Sequence, residues 1–233
     1  MKTIFAVILA FTGALQALPQ PVPQAAAPLK DLNTLIDGVD KTFATMKDFQ
    51  SRFMQISTNS VNQTQQDEGL LYLTRDKKMR VEYGKPGKPL DQLWVSNGKT
   101  LYAYVPANRQ VTKGSVKDSM AEQFPFMFLL GRSGLRQEFK EIRELTLADH
   151  KPIVEGDRTL RLSPNRKTQD IERIEIEVNP RTNLIDRMTI LNTDKTSTDF
   201  AFFEIETNRN LPASTFEFTP PQGVRVIEGS GIQ

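Results

Sequence analysis

The side chains that most often do chemistry are scarce in this chain. Of its 233 residues one is histidine, His150, and none is cysteine. The lack of cysteine removes disulfides, thiolate nucleophiles, iron–sulfur ligation and cysteine zinc sites together. A single imidazole leaves no partner for a histidine zinc site and offers one ordinary base for a Ser-His-Asp arrangement. Beside Lys151 and Pro152, His150 reads as an exposed loop residue. Carboxylates are plentiful, but Glu175 and Glu177 alternate along a strand and read as a solvated face. No glycine-rich phosphate loop occurs. Lysines and arginines are scattered over a net charge of +2, which gives no nucleic-acid footprint. The expectation is a protein with no catalytic constellation, no metal site and no cofactor, and not an enzyme. A secreted hydrolase built on His150 is the third reading.

One polar residue is more pointed. On an uninterrupted strand Arg75 shares a face with Leu71, Leu73, Met79, Val81 and Tyr83. If that face is interior, the guanidinium needs hydrogen-bond partners, because an unpaired buried charge is costly. The alternative is a strand break at "TRDKK" (Thr74–Lys78) that turns Arg75 to water.

The elements that would position such residues follow from hydrophobic period. Leu29, Leu32, Leu35, Ile36, Val39, Phe43 and Met46 recur at three- and four-residue steps and predict a one-sided helix, slightly weakened by Gly38. The period then becomes two, with Phe49, Ser51, Phe53 and Gln55 on one face of a strand. The polar "STNSVNQTQQD" (Ser57–Asp67) reads as a loop, and Gly69–Tyr83 as one long strand or two short ones. "FPFMFLLGRSG" (Phe124–Gly134) reads as a short buried helix, with a strand as the alternative. After it come strands. Ile174, Ile176 and Val178 alternate with Arg173, Glu175 and Glu177, and Ala201, Phe203 and Ile205 oppose Glu204 and Glu206. Many antiparallel strands with few helices predict a strongly curved antiparallel sheet, mainly β, with helices on its concave side. Its phenylalanines fit either a plain core or an apolar ligand cavity.

The hairpin "LWVSNGKTLYAYVP" (Leu93–Pro106) is apolar on both faces. A two-residue turn at Asn97-Gly98 pairs Trp94 with Leu101, and a three-residue turn pairs it with Tyr102. The first is favoured, with Leu93, Val95, Tyr102 and Tyr104 sharing a face assigned to the cavity.

At the N-terminus Lys2, an apolar run from Ile4 to Phe11 and small residues ending at Ala17 have the form of a secretory signal peptide. The run is shorter than the roughly 20 residues of a spanning helix. The expected organisation is a signal peptide over 1–17, a Pro/Ala/Gln-rich leader over 18–28 and one domain over 29–233.

Several segments, in order, resemble the LolA family, the periplasmic carriers of outer-membrane lipoproteins. "DFQSRFMQ" (Asp48–Gln55) is similar to the family's first strand, and "GLLYLTRDKKMRVEY" (Gly69–Tyr83) to its glycine-strand-arginine segment. "LWVSNGKTLYAYVP", "FPFMFLL" and "FEFTPPQGVRVI" (Phe216–Ile227) are similar to its hairpin, its Pro-Phe helix and its near-terminal motif. The resemblance implies an unclosed antiparallel β-barrel with a lid of short helices over a hydrophobic cavity that takes acyl chains. It places the family's lid-holding arginine at Arg75, with Asp76 where a proline is usual and Met79 where Phe is usual. Both departures bear on how tightly the lid closes. The implied cavity residues are Leu35, Val39, Phe43, Phe49, Phe53, Leu71, Leu73, Met79, Val81, Tyr83, Phe126 and Phe128, joined by the hairpin face above. The implied partners of this periplasmic monomer are acylated lipoproteins, an inner-membrane lipoprotein-releasing ABC transporter and an outer-membrane acceptor lipoprotein of the LolB type. The alternative on the same half-barrel is a lipid-sensing regulatory protein.

Overall fold

The change of hydrophobic period near residue 47 is the boundary between the first helix and the sheet. In this computed structural model, which describes residues 31–76, 78–85, 87–116, 134–165 and 170–229, the helix α1 runs over Leu32–Thr45. Asp31 caps it, its Oδ1 accepting from the Thr34 N–H at 3.1 Å, which satisfies one orphan donor of the first turn. Leu35, Ile36, Val39 and Phe43 form its buried stripe, as the spacing predicts. Gly38 is where α1 meets the turn that holds Asn183: a Cβ there would lie 2.5 Å from the Asn183 side chain. The helix ends because Met46 turns to extended backbone.

Twelve strands follow in one sheet. They are β1 (Asp48–Thr58), β2 (Thr64–Thr74), β3 (Lys78–Tyr83), β4 (Gln92–Asn97), β5 (Thr100–Val105), β6 (Gln110–Ser115), β7 (Phe139–Glu144), β8 (Arg158–Pro164), β9 (Ile171–Val178), β10 (Ile185–Asn192), β11 (Ser197–Thr207) and β12 (Arg225–Glu228). Their order is β12-β6-β5-β4-β3-β2-β1-β11-β10-β9-β8-β7. All neighbours are antiparallel except β12, which lies parallel to β6. β12 and β7 are opposite edges that do not pair, so the sheet is unclosed. Register shifts at Gln50/Arg52, Ile185/Arg187, Leu191/Asn192 and Phe139/Glu141 bend it, since each extra residue adds local twist.

Several sequence expectations are corrected. The polar stretch after Ser57 is mostly strand. The β1–β2 ladder runs out to Thr58 paired with Thr64, and only Asn59–Gln63 turns. Backbone pairing does not require apolar side chains, and Asn59 Oδ1 closes the turn by accepting from the Val61 and Gln63 N–H groups. On β11 a bulge, with Glu204 at φ 53°, reverses the expected alternation. Phe200 and Phe202 point to the main core, while Phe203 is 43% exposed.

The two-faced hairpin adopts neither expected register. Trp94 pairs with Ala103 and Ser96 with Leu101. Asn97 Oδ1 accepts from the N–H groups of both Lys99 and Thr100, which lengthens the turn. Gly98 holds φ 90°, beside the Asp76 carbonyl of the adjacent β2–β3 turn. Leu93, Val95, Tyr102 and Tyr104 do share a face, because the observed register keeps the parity of the two-residue turn. That face is the outer one. Opposite it, Trp94, Leu101 and Ala103 pack into the main cluster with Met79 and Val81. The outer face is covered by the chain's own end. A 3-10 turn at Ala213–Phe216 lies on β3 and β4, with Phe216 only 2% exposed, and Phe218 stacks obliquely at 5.6 Å from Tyr102 and 5.8 Å from Tyr104. Arg80 Nη1 donates to the Thr215 carbonyl at 3.5 Å.

Candidate functional site

The inner face of the sheet is mainly apolar, with the buried Ser51 and Ser96 set among its apolar side chains. On β1, Phe49 and Phe53 point inward; on β2, Leu71 and Leu73; on β3, Met79 and Val81; all are buried in one cluster with Leu35, Val39 and Phe43 of α1. Cross-strand pairing explains the grouping: Phe49 faces Leu73, Leu73 faces Met79, and Leu71 faces Val81. The far half adds Leu160 and Leu162 from β8, Ile174 and Ile176 from β9, and Met188 from β10. Leu135 reaches the same cluster, where Asp40 of α1 accepts its backbone N–H at 2.7 Å.

Its centre is aromatic. The Phe53 ring meets Tyr83 edge-on at 5.2 Å and Phe200 at 6.4 Å; Phe200 stacks with Phe202 at 6.3 Å, and Phe202 meets Phe49 edge-on at 6.1 Å. Gly69 pairs with both Phe53 and Tyr83, so these rings approach across a position without a side chain. A Cβ at Gly69 would lie 1.8 Å from the Glu82 carbonyl oxygen and 3.0 Å from Phe53 Cε1. Polar groups begin at one margin. The Tyr83 hydroxyl donates to Gln55 Oε1 at 2.8 Å, and Gln55 Nε2 donates to Ser57 Oγ at 3.0 Å. Burial, helped by the Asp67 carboxylate, pushes the Tyr83 phenol well above its ordinary value, so it stays a neutral donor.

The other titratable cluster is on the outer face. Glu177, 2% exposed, lies 2.7 Å from His150 Nε2, accepts the Ile153 N–H at 2.7 Å and pairs with Arg187 Nη1 at 3.2 Å. The Leu145–Asp157 connection is thereby tied down over β9. This corrects two expectations: His150 is a bound part of the loop, and Glu177 is covered rather than solvated. Next to it the buried Asp157 carboxyl is pushed up to about 7 by burial, by Asp186 and by Glu177. Asp186 is raised as well, by burial first. Among the described residues no group of three or more His, Asp or Glu stands where it could hold a metal ion.

Of the residues expected at the cavity, Leu35, Val39, Phe43, Phe49, Phe53, Leu71, Leu73, Met79 and Val81 come together, with Tyr83 packed at their margin. Leu93, Val95, Tyr102 and Tyr104 do not join them, because the C-terminal segment covers their face. Arg75 lies in the turn between β2 and β3 and is exposed, so the strand breaks there and the guanidinium is not among the apolar side chains. Phe126 and Phe128 lie outside the described residues. Sequence reasoning missed Trp94, Leu101, Phe200 and Phe202. For Trp94 and Leu101 a signal existed: "LPASTFEF" (Leu211–Phe218) carries the apolar groups that cover the other face of the hairpin. "DFAFFE" has aromatics at both parities and carries no such signal.

The arrangement is a buried apolar layer with aromatic edges and a polar margin, a chemistry that matches apolar groups. The family described as outer membrane lipoprotein carrier protein LolA matches residues 44–219. A protein of Chromobacterium violaceum, named outer-membrane lipoprotein carrier protein, is 27% identical over 229 residues, covering 98% of this chain and 100% of that one. A protein of the same name from Azotobacter vinelandii is 29% identical over 179 residues, covering 76% and 80%. The crystal structure of an uncharacterized conserved protein from Thermus thermophilus superposes with a TM-score of 0.52 at 15% identity, covering 86% of this chain and 100% of that one, a likeness of fold. The family match runs from the last turn of α1, through the eleven antiparallel strands, to the segment that seals the outer face. The chain belongs to the LolA family of outer membrane lipoprotein carrier proteins.

Proposed function

We propose that this protein is a periplasmic chaperone that binds the acyl chains of lipoproteins leaving the inner membrane and carries them to the outer membrane. The observation that carries this reading is the apolar inner face, built by ten strands and α1 around Phe49, Phe53, Phe200 and Phe202. Each methylene moved from water onto such a surface contributes about 0.8 kcal/mol. A triacyl anchor buried in full would therefore be held too tightly to hand over, and partial burial suits a carrier. The names borne by its relatives support the same cargo. The signal-like N-terminus over residues 1–17 supports export to the periplasm, with the carrier domain following the 18–28 leader. The proposed partners are an inner-membrane releasing transporter that loads the protein and an outer-membrane acceptor lipoprotein. Native mass spectrometry of the protein isolated from periplasm should show an acylated polypeptide bound one to one. Protein that is always empty would overturn the reading.

Arg75 belongs to the proposal as the contact for the segment around Phe126 and Phe128. Its turn adjoins the Asn97-Gly98 turn, and Val116, the last described residue before that segment, is bonded there through Lys99. Arg75→Leu should slow release to an acceptor while leaving loading intact. Unchanged transfer would remove Arg75 from the account.

A further inference from the structure

The inner face changes chemistry along its strands. Following β1 inward-facing residues from the α1 end, Phe49, the buried Ser51 and Phe53 give way to Gln55 and Ser57. The neighbours change at the same level. On β2, Leu73, Leu71 and Gly69 are followed by Asp67 and Gln65, and on β11, Phe202 and Phe200 are followed by Thr198. Ser57 pairs with Gln65 on one side and with Thr198 on the other. Beyond the Phe53–Phe200 level the face is therefore polar. At the strand ends a groove of about 440 Å³ is lined by Ser57, Gln65 and Thr198 of this face and by Thr58, Thr64 and Ser197 of the opposite one, with Asn59, Gln63 and Thr196 beside them. That volume is within the range of roughly 300–1,000 Å³ usual for small-ligand sites.

The groove lining is all hydroxyl and amide, with no charged side chain. Such groups both donate and accept. They match a peptide backbone, which presents N–H and C=O in alternation, and they supply no cation for a phosphate, which is recognised by Arg, Lys or clustered N–H donors. The Tyr83–Gln55–Ser57 chain of hydrogen bonds links the aromatic centre to the groove. Four residues of strand separate Phe53 from Ser57, about 14 Å.

We infer that this groove is a subsite for the uncharged polypeptide segment that follows the acylated residue of the cargo, with the acyl chains lying toward α1. The inference rests on the carrier reading and adds an orientation and a selectivity to it: acylated peptide is bound in preference to a phospholipid with the same chains.

The test uses the mature protein and a synthetic tripalmitoyl-cysteinyl peptide with a Ser/Gly tail bearing a photoactivatable diazirine on the second residue. Crosslinks are expected within residues 55–66 and 196–198. A paired variant, Ser57→Ala with Thr198→Val, should weaken the lipopeptide about tenfold while leaving palmitate binding unchanged. Crosslinks confined to residues near α1 or to β4–β6, or equal weakening of lipopeptide and palmitate, would overturn the subsite and leave the carrier reading standing. Failure of any acylated peptide to bind would overturn both. Binding of dipalmitoyl phosphatidylglycerol vesicle lipid as tight as that of the lipopeptide would overturn the selectivity.

Discussion

Gly69 shows how one residue sets the aromatic centre. It pairs with Phe53 on one side and Tyr83 on the other, and the rings meet above it at 5.2 Å. A side chain there collides with the Glu82 carbonyl, which is backbone and cannot rotate away. Gly69→Val should therefore destabilise the fold by about 2 kcal/mol, the order of an overpacked core, read as a lower urea midpoint. An unchanged midpoint would mean that the strands are looser than described. The outer face holds a residue of opposite character. Asp157 and Asp186 face each other beside Glu177, with Arg187 and His150 also bound to Glu177, and both carboxyls are raised. Between the ordinary value of 3.8 and about 7 the folded protein keeps a proton that the unfolded chain releases. Stability must then fall as pH rises across that window. Asp157→Asn keeps a donor toward Asp186 and should melt higher than the parent at pH 8, the difference vanishing by about pH 4. A difference independent of pH would contradict the shared proton.

The elements that announce themselves by period are those whose neighbours do not alter the pattern. The stripe Leu35, Ile36, Val39 and Phe43 predicts α1, and the alternation of Ile174, Ile176 and Val178 predicts the inner face of β9. Period misleads where something non-local intervenes. The polar residues from Ser57 to Asp67 are strand because the ladder continues through them, and Glu204 adopts a left-handed conformation that inverts the parity of β11. The Leu93–Pro106 hairpin is the sharpest case. Its four expected cavity residues share a face as predicted, yet that face is the outer one, since strand pattern cannot say which of two greasy sides meets the helix and which meets Phe216. That cover is an element-level claim with a measurable consequence. Phe216→Ala should cost about 3 kcal/mol, as for a buried aromatic truncation, and should increase hydrogen exchange in β4 and β5. Exchange unchanged there would show that Phe216 does not seal them.

At the scale of the molecule, an unclosed sheet of twelve strands keeps its apolar residues in one sequestered layer on the inside and a smaller one under the C-terminal turn outside. The inner layer and its family membership were both legible in the sequence, through the order of motifs from "DFQSRFMQ" to "FEFTPPQGVRVI". The assignment of single side chains to that layer was less so, because it depends on bulges and turns. The same inner layer is the proposed seat of the acyl chains, and the protein carries its own reporter of it. Trp94 is the single tryptophan and packs against the inner cluster beside Val81. Bromine is a short-range quencher, so a lipopeptide brominated along its acyl chains should quench Trp94 fluorescence on binding. The same lipopeptide without bromine should not. If the brominated lipopeptide binds and Trp94 emission stays the same, the acyl chains do not lie on this face and the central claim fails.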